Sequence, residues 1–275
     1  MSETPSNKPK NRPRPNANWG PKRPPKKPKS PEGTEILYGR HAVKAVLLSR
    51  PLEVRTLLLA GKEHYHSDLL MLAEAHGIEV KLMPWPEFLA TCGLAQTEKH
   101  QGVGAFVSPR QIFTEEDFDR LADAQCILAL DQVSNPQNFA AILRSAAFFQ
   151  ADAVIYMRHR AATPTAEVIS YAVGGAEMVD LYCVTNLANS LDDLKRMGFP
   201  VFGLDERGER TLAQMGFSGK LAFVIGAEGE GLRQKTREHC STLVRIPGGR
   251  DGLESLNAAV AATLALYEYA RLMDS

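Results

Sequence analysis

The sequence predicts an α/β protein in which a small α/β domain precedes a larger domain built on a parallel sheet. Three observations lead to this prediction. The 275-residue chain is 44% hydrophobic, which is enough for two cores. Its apolar runs have strand length, and helical patterns separate them. Continuous apolar strands that alternate with helices are typical of a parallel sheet covered on both faces.

The chain divides by composition and pattern into four segments. We expect a basic tail at residues 1–33, a small domain at 34–108, a connecting segment at 109–124 and a larger domain at 125–275. The connecting segment is acidic between Phe113 and Ala124 and could itself form a helix. No internal repeat is visible.

The N-terminal tail is rich in lysine, arginine and proline. Its first 34 residues hold nine Lys or Arg against two Glu, a net charge of +7 in a chain whose formal charge is zero. Residues 1–33 contain almost no apolar side chains, so they cannot bury enough surface to offset the entropy of ordering, and we expect disorder. The tail is either a solubilising segment or an arm that contacts nucleic-acid phosphates, with Trp19 available to stack on a base.

Strands and helices alternate in the small domain, as a compact α/β unit requires. The patterns predict a helix at His41–Leu48, a strand at Arg55–Ala60, a helix at Ser67–His76, a strand at Glu79–Leu82 and a strand at Gly102–Val107.

The larger domain begins with an apolar strand and ends with a long helix. The patterns predict strands at 126–130, 153–156, 200–204, 221–225 and 243–246, with helices between them. They also predict a helix at Ala140–Phe149 and a last helix from Leu256 to about Met273.

Cysteine usage and hydropathy indicate a cytoplasmic protein without a metal site. The four cysteines are widely separated, and none has the two-residue spacing of a zinc or redox motif. No apolar stretch reaches the roughly 18 residues that span a bilayer. The N-terminus lacks the apolar run of a secretory signal. Nine prolines between Pro5 and Pro31 would break the amphipathic helix of a transit peptide.

A first candidate functional loop follows the strand that ends at Leu130. In open α/β sheets, ligands bind at the carboxyl ends of the strands. Asn135 before Pro136 is typical of a turn and a helix start, where Asn138 could assist capping. Arg144 lies in an otherwise apolar helix, where packing alone would favour Leu or Ala. We therefore expect a functional role for Arg144.

The second loop, Gly226 to Leu232, directly follows the strand 221–225. Its three glycines permit positive φ angles and a close approach of the backbone to a ligand. Their order is Gly-x-x-Gly-x-Gly, whereas a dinucleotide fingerprint reads Gly-x-Gly-x-x-Gly and is followed by an acidic residue at a fixed distance. A nicotinamide-dependent enzyme is therefore a weak alternative.

The third loop runs from Ile246 through several glycines to Ser255, Leu256 and Asn257. It leads into the last helix. Ser255 or Asn257 could serve only to cap that helix. The three loops together are more informative than any one of them.

Taken in order, the three loops resemble the three motifs of the SpoU/TrmH family, a branch of the SPOUT RNA methyltransferases. The matching residues are Asn135-Pro136-x-Asn138 with Arg144-Ser145-Ala146, then Ile225-Gly226-Ala227-Glu228-Gly229-x-Gly231-Leu232, then Ile246-Pro247 and Ser255-Leu256-Asn257. Upstream, Tyr38-Gly39-x-His41-Ala42-Val43 and Gln101-Gly102-Val103-x-Ala105 resemble the ends of the RNA-binding domain found in many members. One departure is Gly248, where members commonly have Met, in a loop one residue longer than usual.

The resemblance implies a fold, a cofactor and partners. It implies a SPOUT-type parallel sheet with a deep trefoil knot, S-adenosylmethionine as the methyl donor, RNA as the substrate and a homodimer whose sites are completed across the interface. The two-domain layout is most similar to members that methylate a guanosine ribose in large-subunit ribosomal RNA. A transfer-RNA methyltransferase of the same family and a non-catalytic RNA-binding or assembly factor remain alternatives. The second would predict damage in the cofactor loops, yet those loops are intact.

The resemblance also implies the site residues. Cofactor contacts are expected from Gly226, Ala227, Glu228, Gly229, Ile246, Pro247, Ser255 and Leu256. A catalytic set is expected from Arg144, Asn135, Glu228, Ser255 and Asn257. Because a guanidinium keeps its proton at neutral pH, we expect Arg144 to fix a phosphate and stabilise developing negative charge, with the proton leaving through another group or water.

Overall fold

The computed structural model describes residues 31–96, 100–216, 219–249 and 255–274. Almost all of the predicted basic tail, including Trp19, lies outside the described residues. The strands are β1 Glu35–Tyr38, β2 Val54–Ala60, β3 Glu79–Met83, β4 Val103–Val107, β5 Cys126–Leu130, β6 Ala153–Met157, β7 Asp180–Val184, β8 Val201–Leu204, β9 Arg210–Thr211, β10 Leu221–Ile225 and β11 Thr242–Arg245. The α-helices are α1 Arg40–Ser49, α2 Ser67–Ala75, α3 Trp85–Cys92, α4 Pro136–Phe148, α5 Ala166–Tyr171, α6 Leu187–Arg196, α7 Gln234–Glu238 and α8 Ala258–Met273.

The small domain is a four-stranded sheet with helices on both faces. Its strand order is β1-β4-β2-β3, with β4 antiparallel to β1 and β2, and β3 parallel to β2. Successive residues of β2 point to opposite faces. Leu57 and Leu59 therefore join the core formed with α1 and α2, whereas Leu58 joins Phe88 and Cys92 of α3 on the other face.

The larger domain is a seven-stranded sheet in which every pairing is parallel. Its strand order is β7-β6-β5-β10-β8-β11-β9. Leu128 and Leu130 of β5 face the core that includes α4, α5 and α8, whereas Ile127 and Ala129 face the core that includes α6. The predicted α/β architecture with a parallel sheet is confirmed. No helix in the part of the chain that the structure describes is long and apolar enough to cross a membrane.

The predicted elements are all present, with ends shifted by a few residues. The largest correction concerns the helix predicted at Ala140–Phe149. It begins four residues earlier, at Pro136, because Asn135 caps it. The last helix begins at Ala258, not at Leu256, because Asn257 is its N-cap. The patterns did not predict β1, β7, β9 or α3. The acidic connection contains the 3-10 helix Glu115–Leu121, and Phe113 exchanges backbone hydrogen bonds with β7.

The two domains share a buried ion pair. The side chain of Glu177, in the 3-10 helix Gly175–Met178 of the larger domain, is fully buried between two arginines. Arg50 donates from Nε to Oε2 of Glu177 over 2.7 Å, and Arg110 donates from Nη1 to the same oxygen over 3.3 Å. Burial lowers the pKa of Arg110, and the charge of Glu177 opposes that shift. The pair fixes the small domain beside the helix that carries Arg144, since Gly175 packs against the Arg144 backbone.

Candidate active site

Three loops meet at the carboxyl edge of the parallel sheet. They follow β5, β10 and β11, and the last two residues of the neighbouring strands β5 and β10 are aligned with each other. Since all strands are parallel, the loops leave the sheet on the same side. β8 lies between β10 and β11 and contributes a fourth loop.

A hydrogen-bonded cluster joins one residue from each of the three predicted loops. Asn138 of the first loop donates from Nδ2 to Oε1 of Glu228 in the second. Asn257 of the third donates from Nδ2 to the same oxygen over 2.5 Å and to Oδ1 of Asn138 over 3.0 Å. These residues are 90 and 119 positions from Asn138 in the sequence. The three stretches therefore converge, and we call Asn138, Glu228 and Asn257 the central cluster.

Asn257 has a structural and a site role at once. Its Oδ1 accepts the backbone N–H groups of Ala259 over 2.8 Å and Val260 over 3.3 Å, which caps α8. Its Nδ2 is then turned away from the helix and donates into the central cluster. The cap that the sequence left as an alternative is present, and it orients the amide.

Asn135 caps a helix, as its position before Pro136 suggested, whereas Asn138 does not assist that cap. Asn135 caps α4, because its Oδ1 accepts the N–H groups of Gln137 over 2.8 Å and Asn138 over 3.3 Å. The side chain of Asn138 takes no part in capping and joins the central cluster instead. The sequence signal for the role of Asn138 was a second carboxamide in the first turn of an apolar helix that Asn135 already capped.

A second buried contact ties the first loop to the end of the second. Asp131, directly after β5, is fully buried. It accepts the backbone N–H of Arg233 over 3.0 Å and Nε of the same residue over 2.7 Å. The sequence analysis did not single out either residue. The sequence signal that could have identified Asp131 was a carboxylate directly after an apolar strand.

The glycine loop after β10 is a tight backbone hairpin. Ala227 and Gly231 exchange two backbone hydrogen bonds, of 3.2 and 3.0 Å. A Cβ added to Gly226 would lie 2.2 Å from the carbonyl carbon of Gly231, so a side chain cannot fit there. Gly229 has a φ of 77° and meets nothing within 4 Å of an added Cβ, so it is needed for its conformation alone.

A cavity of about 520 Å³ lies between the second and third loops. The residues predicted to contact a cofactor that line it are Gly226, Ala227, Gly229, Ile246, Pro247, Ser255 and Leu256. Glu228 is not among its lining residues and faces the cavity described next. The remaining wall includes Asp205 to Arg207, after β8, which the sequence analysis missed because that loop has no distinctive motif. We call this space the first cavity.

A second cavity, of about 400 Å³, lies on the other side of the glycine loop. Asn135, Asn138, Glu228 and Arg160 are among its lining residues. Ala227 and Glu230 line both cavities. A ligand in one cavity is therefore separated from a ligand in the other only by this loop.

Arg144 lies apart from both cavities. It is exposed on α4 and is absent from the lining of either space. Within one chain, the structure thus brings together the other predicted site residues but not Arg144.

Comparisons with known proteins agree with this geometry. The profile of the SpoU rRNA Methylase family matches residues 125–267, and a profile described as RNA 2′-O ribose methyltransferase substrate binding matches residues 36–113. The chain belongs to the SpoU rRNA methylase family. The resemblance identified from the three motifs is confirmed.

Relatives within the SpoU family match over nearly their whole length. A 23S rRNA (guanosine-2′-O-)-methyltransferase, RlmB, from Acinetobacter baylyi is 40% identical over 245 residues, covering 86% of this chain and 97% of that protein. The RlmB of Pseudomonas aeruginosa is 36% identical over 249 residues, covering 86% and 96%. The SpoU methyltransferase AviRb from Streptomyces viridochromogenes, solved with the cofactor AdoMet, is 26% identical with a TM-score of 0.69, covering 88% of this chain and 91% of that one.

Gly226 and Gly229 of the SpoU second motif should differ in their sensitivity to substitution. We expect Gly226→Ala to lower the free energy of unfolding by at least about 3 kcal/mol, because the new methyl group meets backbone atoms that cannot move aside. Gly229→Ala should cost only about 1 kcal/mol, the strain of a positive φ in open space. Urea unfolding of both variants measures the difference. Equal losses of unfolding free energy in the two variants would contradict the close contact between Gly226 and the backbone of Gly231.

Proposed function

We propose that this chain transfers a methyl group from S-adenosylmethionine to the ribose 2′-hydroxyl of a guanosine in 23S rRNA. The observation that carries the proposal is the convergence of three loops on the central cluster, which lies beside the second cavity, with the first cavity on the other side of the glycine loop. Relatives that are 36–40% identical over almost their whole length carry the name of this activity. Such a substrate is found in the cytoplasm, where ribosomes are assembled.

The first cavity suits the methyl donor. Its volume lies within the range of small-molecule sites, and its walls combine apolar side chains such as Ile225 and Leu256 with the backbone of the glycine loop. Gly226, Gly229 and Gly231 line the cavity without side chains, so backbone groups can approach a ligand closely. When bound, the donor supplies an electrophilic methyl group on a sulfonium. The AviRb structure contains AdoMet, which supports this choice of ligand.

The path of the chain supports a trefoil knot in the SpoU domain. β11 lies beyond β8 in the sheet, whereas α8 returns to pack against α4 and β10. Between these two elements the chain therefore returns from near one end of the sheet to its middle. Asn257, directly before α8, hydrogen-bonds to Glu228 in the loop that follows β10. Knots are very rare in proteins, and one requires the chain to come back to a loop that it has already formed, as it does at this contact.

An apolar surface on α8 and α4 supports a homodimer. Val260, Leu264 and Tyr267 follow one another at helical spacing on α8 and are 37–54% exposed. Phe148 of α4 is 77% exposed. Exposed apolar side chains that form a contiguous face commonly mark a protein interface.

The same face would bring Arg144 to a second copy of the chain. Arg144 and Phe148 are four residues apart on α4 and therefore point to the same side of the helix. We infer that Arg144 enters the acceptor site of the partner subunit. There its guanidinium would hold the phosphate beside the reacting ribose and stabilise the negative charge that develops on the 2′-oxygen.

The central cluster would orient the ribose. Oε1 of Glu228 is already held by two amide donors, which fixes the carboxylate and leaves Oε2 to accept a ribose hydroxyl. Ser255, on the wall of the first cavity, completes the proposed set with a hydroxyl. The 2′-proton would leave to another group or to water, because the guanidinium is already protonated.

One edge of the small domain is suited to contact RNA. The two upstream motifs meet there, since Arg40 donates its backbone N–H to Oε1 of Gln101 over 3.3 Å. Trp85 and Tyr65 on the same edge are 46% and 64% exposed. Aromatic rings beside arginine are typical of surfaces on which unpaired bases stack.

The proposed reaction can be tested in RNA from cells. We expect deletion of the gene to remove 2′-O-methylation at one guanosine of 23S rRNA and the wild-type gene to restore it. The Arg144→Ala gene should fail to restore it, while calorimetry on the purified variant should give a donor affinity within about twofold of wild type, because Arg144 lies outside the first cavity. Loss of a methyl group from transfer RNA, or from no RNA, would contradict the rRNA assignment.

The proposed composite site can be tested by mixing two variants of very low activity. Arg144→Ala and Asn138→Ala would each greatly lower turnover at both sites of their own homodimer. If Arg144 acts in the partner's site, each mixed dimer contains one intact site, so co-refolded variants should recover about a quarter of wild-type turnover. Mixing either variant with itself is the control. A mixture as inactive as its components would place Arg144 and Asn138 in the same chain's site.

A further inference from the structure

The second cavity is built by two loops that are tied together. The loop after β5 supplies Gln132 to Asn135, and the loop after β6 supplies Arg160. The backbone N–H of Ala162 donates to the carbonyl of Val133 over 2.9 Å, which joins the two loops. β5 and β6 are neighbours in the sheet, so both loops stand on a common rigid support.

Both loops hold a non-glycine residue in the left-handed region. Gln132 has a φ of 61° and Arg160 a φ of 57°. Only five non-glycine residues in the described ranges have a positive φ, and two of them line this one cavity. Strained conformations of this kind cluster at binding sites, where the side chain is required in spite of the backbone. Glycine would adopt the same φ without strain. An arginine at this position therefore indicates that its guanidinium has a function.

The chemistry of the walls defines the ligand. Arg160 is the sole Lys, Arg or His among the described residues that line the cavity. It forms no ion pair within the ranges that the structure describes. The other polar walls are the carboxylates of Glu228 and Glu230 and the amide and hydroxyl groups of the first loop. A ligand that fits carries an anion at one end and hydroxyl groups at the other.

We propose that the second cavity seats the acceptor nucleotide, with Arg160 binding a second backbone phosphate, distinct from the one proposed for the partner subunit's Arg144, next to the ribose that the central cluster orients. A planar guanidinium binds phosphate oxygens through two parallel hydrogen bonds, which fixes both position and orientation. The ribose then lies against Ala227 and Glu230, the residues that line both cavities, and its 2′-hydroxyl faces the methyl donor. This inference rests on the proposed function and adds the residue that sets the register of the RNA strand.

The test compares substitutions that separate the side chain from the backbone. Arg160→Gly removes the side chain with its guanidinium and adopts the left-handed conformation without strain, whereas Arg160→Ala removes the guanidinium and retains the strain. Arg158→Ala is the matched control, since Arg158 is an exposed arginine two positions away that does not line the cavity. Methyl transfer is measured on an in vitro transcribed 23S rRNA fragment at several salt concentrations, and the donor's Kd is measured by calorimetry.

We expect Arg160→Gly and Arg160→Ala to lower kcat/KM for RNA by about tenfold to a hundredfold, the effect of one charged hydrogen bond. The slope of log KM against log salt concentration should fall by about one, as expected when one phosphate contact is lost. Arg158→Ala should change kcat/KM for RNA by less than about twofold. The donor's Kd should change by less than about twofold in all the variants.

Three results would overturn the inference. Arg160→Gly could transfer methyl groups as well as wild type, which would leave the guanidinium without a role. The kcat/KM could fall with an unchanged salt slope, which would exclude a phosphate contact. The donor's Kd could rise, which would assign Arg160 to the donor's carboxylate. Wild-type turnover on the same fragment tests the proposed function separately.

Discussion

A single carboxylate oxygen organises the site. Oε1 of Glu228 accepts hydrogen bonds from Asn138 and Asn257, the two amides that stand at the N-terminal ends of α4 and α8. Each amide is fixed by its helix, because Asn257 is itself the cap of α8 and Asn138 lies in the first turn that Asn135 caps. Asn138 is buried, whereas Glu228 and Asn257 lie at the surface of the site. Loss of this shared contact would release three loops at once, since members of one hydrogen-bond network stabilise each other jointly.

The glycine loop explains how two ligands can meet without sharing a pocket. Its hairpin is thin because no side chain fits at Gly226, and its outer residues Ala227 and Glu230 form the wall between the cavities. Asp131 holds the far end of the loop through Arg233, so the wall is anchored at both ends. Methyl transfer needs direct contact between the 2′-oxygen and the methyl carbon, so the proposed reaction takes place at the edge of this loop, beside Ala227 and Glu230. A rigid loop there would hold donor and acceptor in line.

The sequence predicted the central strands well, because β5, β6 and β10 are buried on both faces and read as continuous apolar runs. It did not predict β9, which has two residues, or α3, which has eight and begins beside Pro86. The motifs identified the three loops, but not which side chains touch. The contact between Asn138 and Glu228 depends on β10 lying next to β5, and strand order is not encoded in periodicity. The loop after β8 was missed because it contributes ordinary polar residues whose importance comes only from their place at the sheet edge.

The coupling free energy between Asn138 and Asn257 tests the central claim most directly. It is obtained from kcat/KM for methyl transfer by the wild type, Asn138→Ala, Asn257→Ala and the double variant. The cap that Asn257 provides to α8 is lost in both variants that carry Asn257→Ala, so its effect cancels in the cycle. If the two amides act through one carboxylate, the coupling should be about 1 kcal/mol or more. Effects that add within about 0.5 kcal/mol would contradict a shared cluster and leave the three loops as independent parts.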